Sequence, residues 1–113
     1  MNRIERRFQT LRKTGGKAFI AYITAGDPTL AATGDLIREF DSRGVDIVEL
    51  GVPFSDPIAD GPVNQEAALR ALRNGVGIGD ILEMVKRVRK YSDIPVVFFA
   101  YVNTIFAYGL EAL

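Results

Sequence analysis

The chain has 113 residues, of which 48% are hydrophobic and 25% charged, which suits one compact domain and excludes a disordered or low-complexity chain. Fourteen basic and fourteen acidic residues cancel, so there is no global positive field to attract nucleic acid or anionic lipid. The sequence contains neither Cys nor His, which excludes disulfides, thiolate or imidazole catalysis and the commonest metal ligands. Any proton transfer therefore falls to carboxylates, Lys or Tyr, and we expect no bound metal.

Nothing in the sequence predicts insertion into a membrane or export. No apolar run approaches the roughly 20 residues that span a bilayer, and the first residues lack the apolar stretch of a signal peptide. We therefore expect a cytoplasmic protein with neither membrane nor nucleic acid as a partner.

Three short apolar runs predict the strands of a parallel sheet. An opening helix is expected near residues 2–13, and strands are expected over residues 17–24, 45–51 and 95–101. Because the three runs are almost continuously apolar, we expect these strands to be buried on both faces.

The segments between the predicted strands have helical spacing. Apolar positions fall at 36–40 in the first segment and at 68–72 and 81–88 in the second, which therefore holds two helices. Asp80 followed by Glu83 predicts a capping box at the start of the last helix. The order αβαβααβ is typical of an α/β fold with right-handed crossovers, in one domain over residues 1–113.

The most informative segment is the loop over residues 51–62, GVPFSDPIADGP, which holds three of the five prolines. In parallel α/β folds, ligands bind at loops that leave the carboxyl ends of strands. Residues 24–28 and 101–103 leave the other two predicted strands at the same end. We expect the functional site there.

Glu49 interrupts the second apolar strand, where a carboxylate loses hydration unless a partner or a function compensates. Burial raises the pKa of a carboxyl group towards neutrality, which suits a group that both gives and takes a proton. The alternative is a strand-end Glu that reaches solvent or pairs with an Arg. Asp56 and Asp60 in the following loop are candidates for a second catalytic carboxylate, although Asp before Pro or Gly is also ordinary turn chemistry.

Aromatic side chains accompany these carboxylates. Tyr22, Phe99 and Tyr101 lie near the ends of the first and third predicted strands and could form walls for a flat apolar ligand. Aromatic residues in strands are more often plain core, so this alternative stays open.

Three stretches together resemble a known family. ITAGDP at 23–28, ELGVPFSDPIADGP at 49–62 and Tyr101-x-Asn103 are similar to the alpha chain of tryptophan synthase, in register over nearly the whole sequence. The second stretch is long and specific, whereas the first and third are weak alone. The resemblance implies that the chain forms the N-terminal portion of a (β/α)8 barrel, with about three parallel strands and flanking helices and with the barrel not closed.

The resemblance also implies an activity. The family cleaves indole-3-glycerol phosphate to indole and glyceraldehyde 3-phosphate by a retro-aldol reaction in tryptophan biosynthesis. Glu49 matches the proton shuttle, and Asp60 matches the carboxylate that binds the indole N–H. Positions that match the substrate pocket are Tyr22, Ala59, Phe99 and Tyr101.

A partner follows from the same resemblance. Pro53 and Asp56 match the contact with a beta chain, which holds pyridoxal phosphate, in a heterotetramer of two alpha and two beta chains. No cofactor is expected in the alpha chain itself.

The sequence departs from the family in two residues and in length. Asn64 stands where the family usually has an apolar residue, and Tyr22 stands where Phe is more usual, which adds a hydroxyl that needs a partner. The family's phosphate grip comes from loops later in the barrel, so we expect this sequence to be the N-terminal part of a longer chain, inactive alone.

Three hypotheses remain. The first is the lyase, active when the rest of the barrel is present. The second is a non-catalytic module that docks on a beta chain through residues 53–60. The third is a small flavodoxin-like nucleotide binder, which the alternation of strands and helices alone would allow but which lacks the glycines of a phosphate loop.

Overall fold

A computed structural model describes residues 1–111 of the chain. Three parallel strands form one sheet in the order β1-β2-β3, with β1 at Ile20–Thr24, β2 at Ile47–Gly51 and β3 at Val96–Phe99. Each strand lies inside its predicted run. The predicted class, three parallel strands in an open sheet with flanking helices, is confirmed.

Five helices accompany this sheet within the described residues: α1 (Arg3–Thr14), α2 (Leu30–Ser42), α3 (Pro62–Arg73), α4 (Ile78–Val88) and α5 (Val102–Tyr108). The first four match the predicted helical segments. The fifth was not predicted, because its seven residues follow β3 within the same apolar stretch and show no separate period.

The helices begin at local hydrogen bonds. The Asn2 side chain accepts from the Glu5 N–H at 2.9 Å at the start of α1. At the start of α4 the N–H of Gly77 donates to Asp80 Oδ2 at 3.0 Å, so Gly77 is the capping position. The predicted box with Asp80 as the cap and Glu83 as its partner is therefore wrong, because the helix begins one turn earlier.

The core lies between the sheet and the helices α2 and α4. Val48 and Leu50 of β2 point to this side, and both are fully buried against a cluster that includes Ile37, Ile81 and Ile94. Burial of one such side chain contributes about 1.5–3 kcal/mol. This helix-covered face therefore fixes the position of β2.

The opposite face of the sheet, here called the Glu49 face, carries the alternate residues. Register places Tyr22 of β1 beside Glu49 and Val97 of β3 on its other side, and pairs Gly51 with Phe99. Burial on both faces is confirmed only for β2 and is wrong for the other two strands. As edge strands, β1 and β3 have a neighbour on one side only within residues 1–111, and the helices cover one face of the sheet.

Candidate active site on the Glu49 face

Glu49 lies in the middle of β2, partly buried, with aromatic and apolar neighbours on both adjacent strands. Four ion pairs are formed within residues 1–111, and none of them includes Glu49. The alternative that an Arg neutralises this carboxylate is therefore not what the described residues show. A partly buried carboxylate without a cationic partner loses hydration at a cost in free energy, so its presence in this strand favours a functional role.

Tyr22 and Phe99 lie on the two strands that neighbour β2, Tyr22 beside Glu49 and Phe99 beside Gly51. Their rings meet edge to face, with centroids 6.0 Å apart and planes at 89°. This arrangement places the positive edge of one ring on the negative face of the other. The sheet register thus brings the predicted catalytic Glu and two of the predicted pocket residues onto one surface.

Gly51 makes room for Tyr22. A Cβ atom at position 51 would overlap the Tyr22 hydroxyl oxygen and lie 2.8 Å from Cζ of the same ring. The phenol therefore extends over Gly51, towards the carboxyl end of β2. Its hydroxyl lies 3.5 Å from Thr24 Oγ1, at the limit of a hydrogen bond.

Tyr101 anchors the loop that leaves β2. The N–H of Ala59 donates to the Tyr101 hydroxyl at 3.1 Å, and the Tyr101 ring stacks on Phe54 with centroids 4.9 Å apart. Ala59 and Tyr101, both predicted as pocket residues, are therefore in direct contact. The contact joins the end of β3 to the residue that precedes Asp60.

Asp60 stands at the end of this loop, partly buried, immediately before the Gly61 cap of α3. The Gln65 side chain donates to the Asp60 carbonyl at 2.8 Å and to the Pro57 carbonyl at 3.3 Å, so α3 holds the backbone on both sides of Ala59. Of the two predicted partner-contact residues, Asp56 is exposed and Pro53 is buried within the chain.

Among residues 1–111, no group of three or more Asp or Glu side chains is arranged to hold a metal ion. No helix in that range is long and apolar enough to cross a membrane. The chemistry available at the site is that of carboxylates, hydroxyls and aromatic rings.

An ion pair that the sequence did not reveal connects the loop after β1 to α3. Arg70 donates to both oxygens of Asp27, with Nε 2.8 Å from Oδ1 and a terminal nitrogen 3.0 Å from Oδ2. This hydrogen-bonded Arg70 guanidinium holds the pKa of Asp27 below its ordinary value. Asn74 adds a side-chain hydrogen bond to the Pro28 carbonyl. The sequence analysis singled out neither residue, because the two lie 43 positions apart and no local pattern links them.

The model of the tryptophan synthase alpha chain family matches residues 8–113. The chain belongs to this family. The curated alpha chain from Caldanaerobacter subterraneus subsp. tengcongensis is 51% identical over 111 residues, which is 98% of this chain and 42% of the relative. The alpha chain from Geobacter sp. strain M21 is 50% identical with the same coverage.

Solved structures agree with the family assignment. Tryptophan synthase subunit alpha from Legionella pneumophila superposes with a TM-score of 0.95 at 42% identity, over 98% of this chain and 43% of that one. Tryptophan synthase from M. tuberculosis in an aminoacrylate-bound form gives 0.90 at 33% identity, over 99% and 45%. The chain thus spans about 42% of the length of the curated relatives that it matches.

Proposed function

We propose that the chain contributes the acid–base site of a carbon–carbon lyase that cleaves indole-3-glycerol phosphate to indole and glyceraldehyde 3-phosphate. The observation that carries the proposal is Glu49, a carboxylate without an ion-pair partner among the described residues, on a strand face lined by aromatic rings. Membership of the alpha chain family supports the same reaction.

Glu49 acts as the proton shuttle. Its protonated form gives a proton to the indole ring carbon that carries the glycerol chain, and its carboxylate then takes the proton from the adjacent glycerol hydroxyl. The bond between ring carbon and side chain breaks, and its electron pair returns to the ring while the hydroxyl carbon becomes an aldehyde. The Glu ends in its starting state, so no oxidant or reductant is required.

Asp60 accepts a hydrogen bond from the indole N–H and stabilises the positive charge that develops when the ring is protonated. The hydrogen bonds that hold the backbone at Ala59 and at Asp60 itself suit this role. Ala59 is held by Tyr101, and the Asp60 carbonyl by Gln65, so the loop backbone is fixed before a substrate binds. A loop whose backbone is already ordered loses little entropy when the substrate binds.

The aromatic residues supply the slot for the indole ring. Tyr22 stands beside Glu49 and Phe99 beside Gly51, on the two strands that neighbour β2, and both aromatic residues are exposed. A planar apolar ring would cover these two side chains and gain the free energy of removing them from water. We assign Ala59 and Tyr101 to the loop side of the same slot.

The partner is a beta chain that holds pyridoxal phosphate, in a cytoplasmic heterotetramer of two alpha and two beta chains. The loop over residues 53–60 presents Asp56 and Ile58 to solvent, and Ile58 is 82% exposed. An exposed apolar side chain beside a carboxylate suits a protein interface. The same loop supports the second candidate function, docking on a beta chain without catalysis.

The test is indole release from indole-3-glycerol phosphate by the full product of the gene and by its Glu49→Gln variant. Loss of the proton shuttle is expected to lower kcat by about 10²–10⁴-fold. Glu83→Gln, on the exposed side of α4, is the matched control and is expected to retain the rate. An undiminished rate in Glu49→Gln would remove Glu49 from the mechanism.

The docking function is tested by calorimetric titration of a beta chain with the wild-type protein and with Glu49→Gln. Binding of both with equal affinity, together with no indole release by the wild type, would favour the docking function over the lyase. Absence of association at tens of micromolar would count against any role for the loop as an interface.

A further inference from the structure

The Tyr22 hydroxyl is a polar group on the Glu49 face that the proposed mechanism does not use. It lies over Gly51, two residues beyond Glu49 along β2 and towards the end of the strand where the loop over residues 51–62 begins. The residue itself is 36% exposed. A hydroxyl at this position faces the same side of the sheet as the Glu49 carboxylate.

The hydroxyl has hydrogen-bonding capacity to spare. Its one hydrogen-bond contact among the described residues is with Thr24 Oγ1, at 3.5 Å, whereas a good hydroxyl–hydroxyl bond is about 2.7–2.8 Å. A phenol has one donor and two acceptor sites, so a single long contact leaves most of them for a ligand. Thr24 itself is buried, with 8% of its surface exposed.

The surroundings hold the phenol in place. The edge-to-face contact with Phe99 fixes the ring plane, and Gly51 leaves no side chain between the ring and the strand backbone. An ordered side chain loses little conformational entropy when its hydroxyl binds a ligand.

We propose that Tyr22 is a specificity residue whose hydroxyl hydrogen-bonds the glycerol chain of indole-3-glycerol phosphate, beside the hydroxyl that Glu49 deprotonates. The inference rests on the proposed lyase function. It assigns the ring of Tyr22 to the aromatic slot and its hydroxyl to the polar part of the substrate. The site therefore distinguishes substrates with hydroxyls next to the indole ring from those without.

The test combines a side-chain change with a substrate change. Tyr22→Phe removes only the hydroxyl, and indole-3-propyl phosphate keeps the indole ring and the phosphate but has no glycerol hydroxyls. In the full gene product, Tyr22→Phe is expected to lower kcat/KM for indole-3-glycerol phosphate by about 3- to 10-fold, the effect of one neutral hydrogen bond. The dissociation constant for indole-3-propyl phosphate is expected to stay within twofold.

Tyr91→Phe is the matched control. Tyr91 is 69% exposed, follows α4 and lies under the Arg38 guanidinium, so this variant loses the same atom on the helix layer. Its kcat/KM is expected to equal that of the wild type. Thermal unfolding of both variants checks that each is folded at the assay temperature.

Two results would overturn the inference while leaving the lyase function standing. One is cleavage by Tyr22→Phe within twofold of the wild type. The other is an equal loss for substrate and for indole-3-propyl phosphate, which would mean that the hydroxyl supports the ring or the fold. Failure of the wild type to release indole would instead reject the lyase function itself.

Discussion

The two faces of the sheet have different roles in this chain. On the helix-covered face, Val48 and Leu50 are fully buried, whereas on the Glu49 face Tyr22 is 36% and Phe99 49% exposed. Alternation along one strand sends successive side chains to these two environments. The same five residues of β2 thus supply both the anchor of the fold and the carboxylate of the proposed reaction.

This contrast shows which side of a strand can carry a catalytic side chain. A partly buried carboxylate is tolerable on a strand whose other face is firmly packed, because the apolar face fixes the backbone without help from Glu49. The side chains of the Glu49 face are then free to meet a ligand. Substitutions on the two faces should accordingly have different consequences.

The largest expected effect on stability comes from the helix-covered face. Leu50→Ala removes a fully buried side chain and is expected to lower the free energy of unfolding by about 2–5 kcal/mol. In the same 113-residue chain, Phe99→Ala is expected to cost much less, because about half of that side chain is already in water. Urea unfolding measures both. Equal losses would mean that another molecule covers the Glu49 face in solution.

Gly51→Ala adds a methyl group on the Glu49 face itself. The new Cβ would overlap the Tyr22 hydroxyl and approach its ring to 2.8 Å, so the phenol must leave its position. Such overpacking is expected to cost about 1–3 kcal/mol in urea unfolding. Gly61→Ala is the control, since a Cβ there meets no atom within 4 Å. If the two variants were equally stable, the position assigned to Tyr22 would be wrong.

Tyr101→Phe tests the anchor of the loop with a smaller change. The variant keeps the ring on Phe54 but removes the acceptor of the Ala59 N–H. One lost hydrogen bond of about 1 kcal/mol is expected to speed hydrogen exchange of the Ala59 amide roughly 5-fold. The amide of Val48, inside the sheet, should exchange as before. Unchanged exchange at Ala59 would show that Tyr101 does not hold the loop.

The smallest expected effect is the pH dependence of the Asp27–Arg70 pair. Since Arg70 lowers the pKa of Asp27, the pair stabilises the chain above the ordinary value of 3.8, and this is lost as the pH falls through the lower folded-state pKa. Asp27→Asn should therefore be slightly less stable than the wild type near pH 7, with the difference shrinking below pH 3.8. Urea unfolding at both pH values measures it. A difference that grew in acid would contradict the sign.

Much of this architecture could be predicted from short-range patterns. The apolar runs located all three strands, and the break at Glu49 pointed to the face that carries the candidate site. The loop over residues 51–62 was predicted at the carboxyl end of β2 because it directly follows that apolar run. These features depend on neighbours within a few positions, which a sequence displays directly.

What could not be predicted depends on distance along the chain or on missing neighbours. The bond between Ala59 and Tyr101 joins residues 42 positions apart, and that between Asp27 and Arg70 joins residues 43 apart. Apolar runs do not say whether a strand lies at an edge, so the exposure of β1 and β3 was missed. The start of α4 was predicted too late because its N-cap is Gly77, whose backbone N–H donates to Asp80. A glycine cap has no side chain that would mark it in the sequence.

The fit of the phenol over Gly51 also couples the residues that these two positions can hold. A side chain at 51 displaces the aromatic ring at 22, because the ring carbon Cζ would otherwise sit 2.8 Å from the new atom. A smaller residue at 22 would therefore lessen the cost of Ala or Ser at 51. Tyr and Phe both fit sterically at that position while glycine persists on the neighbouring strand.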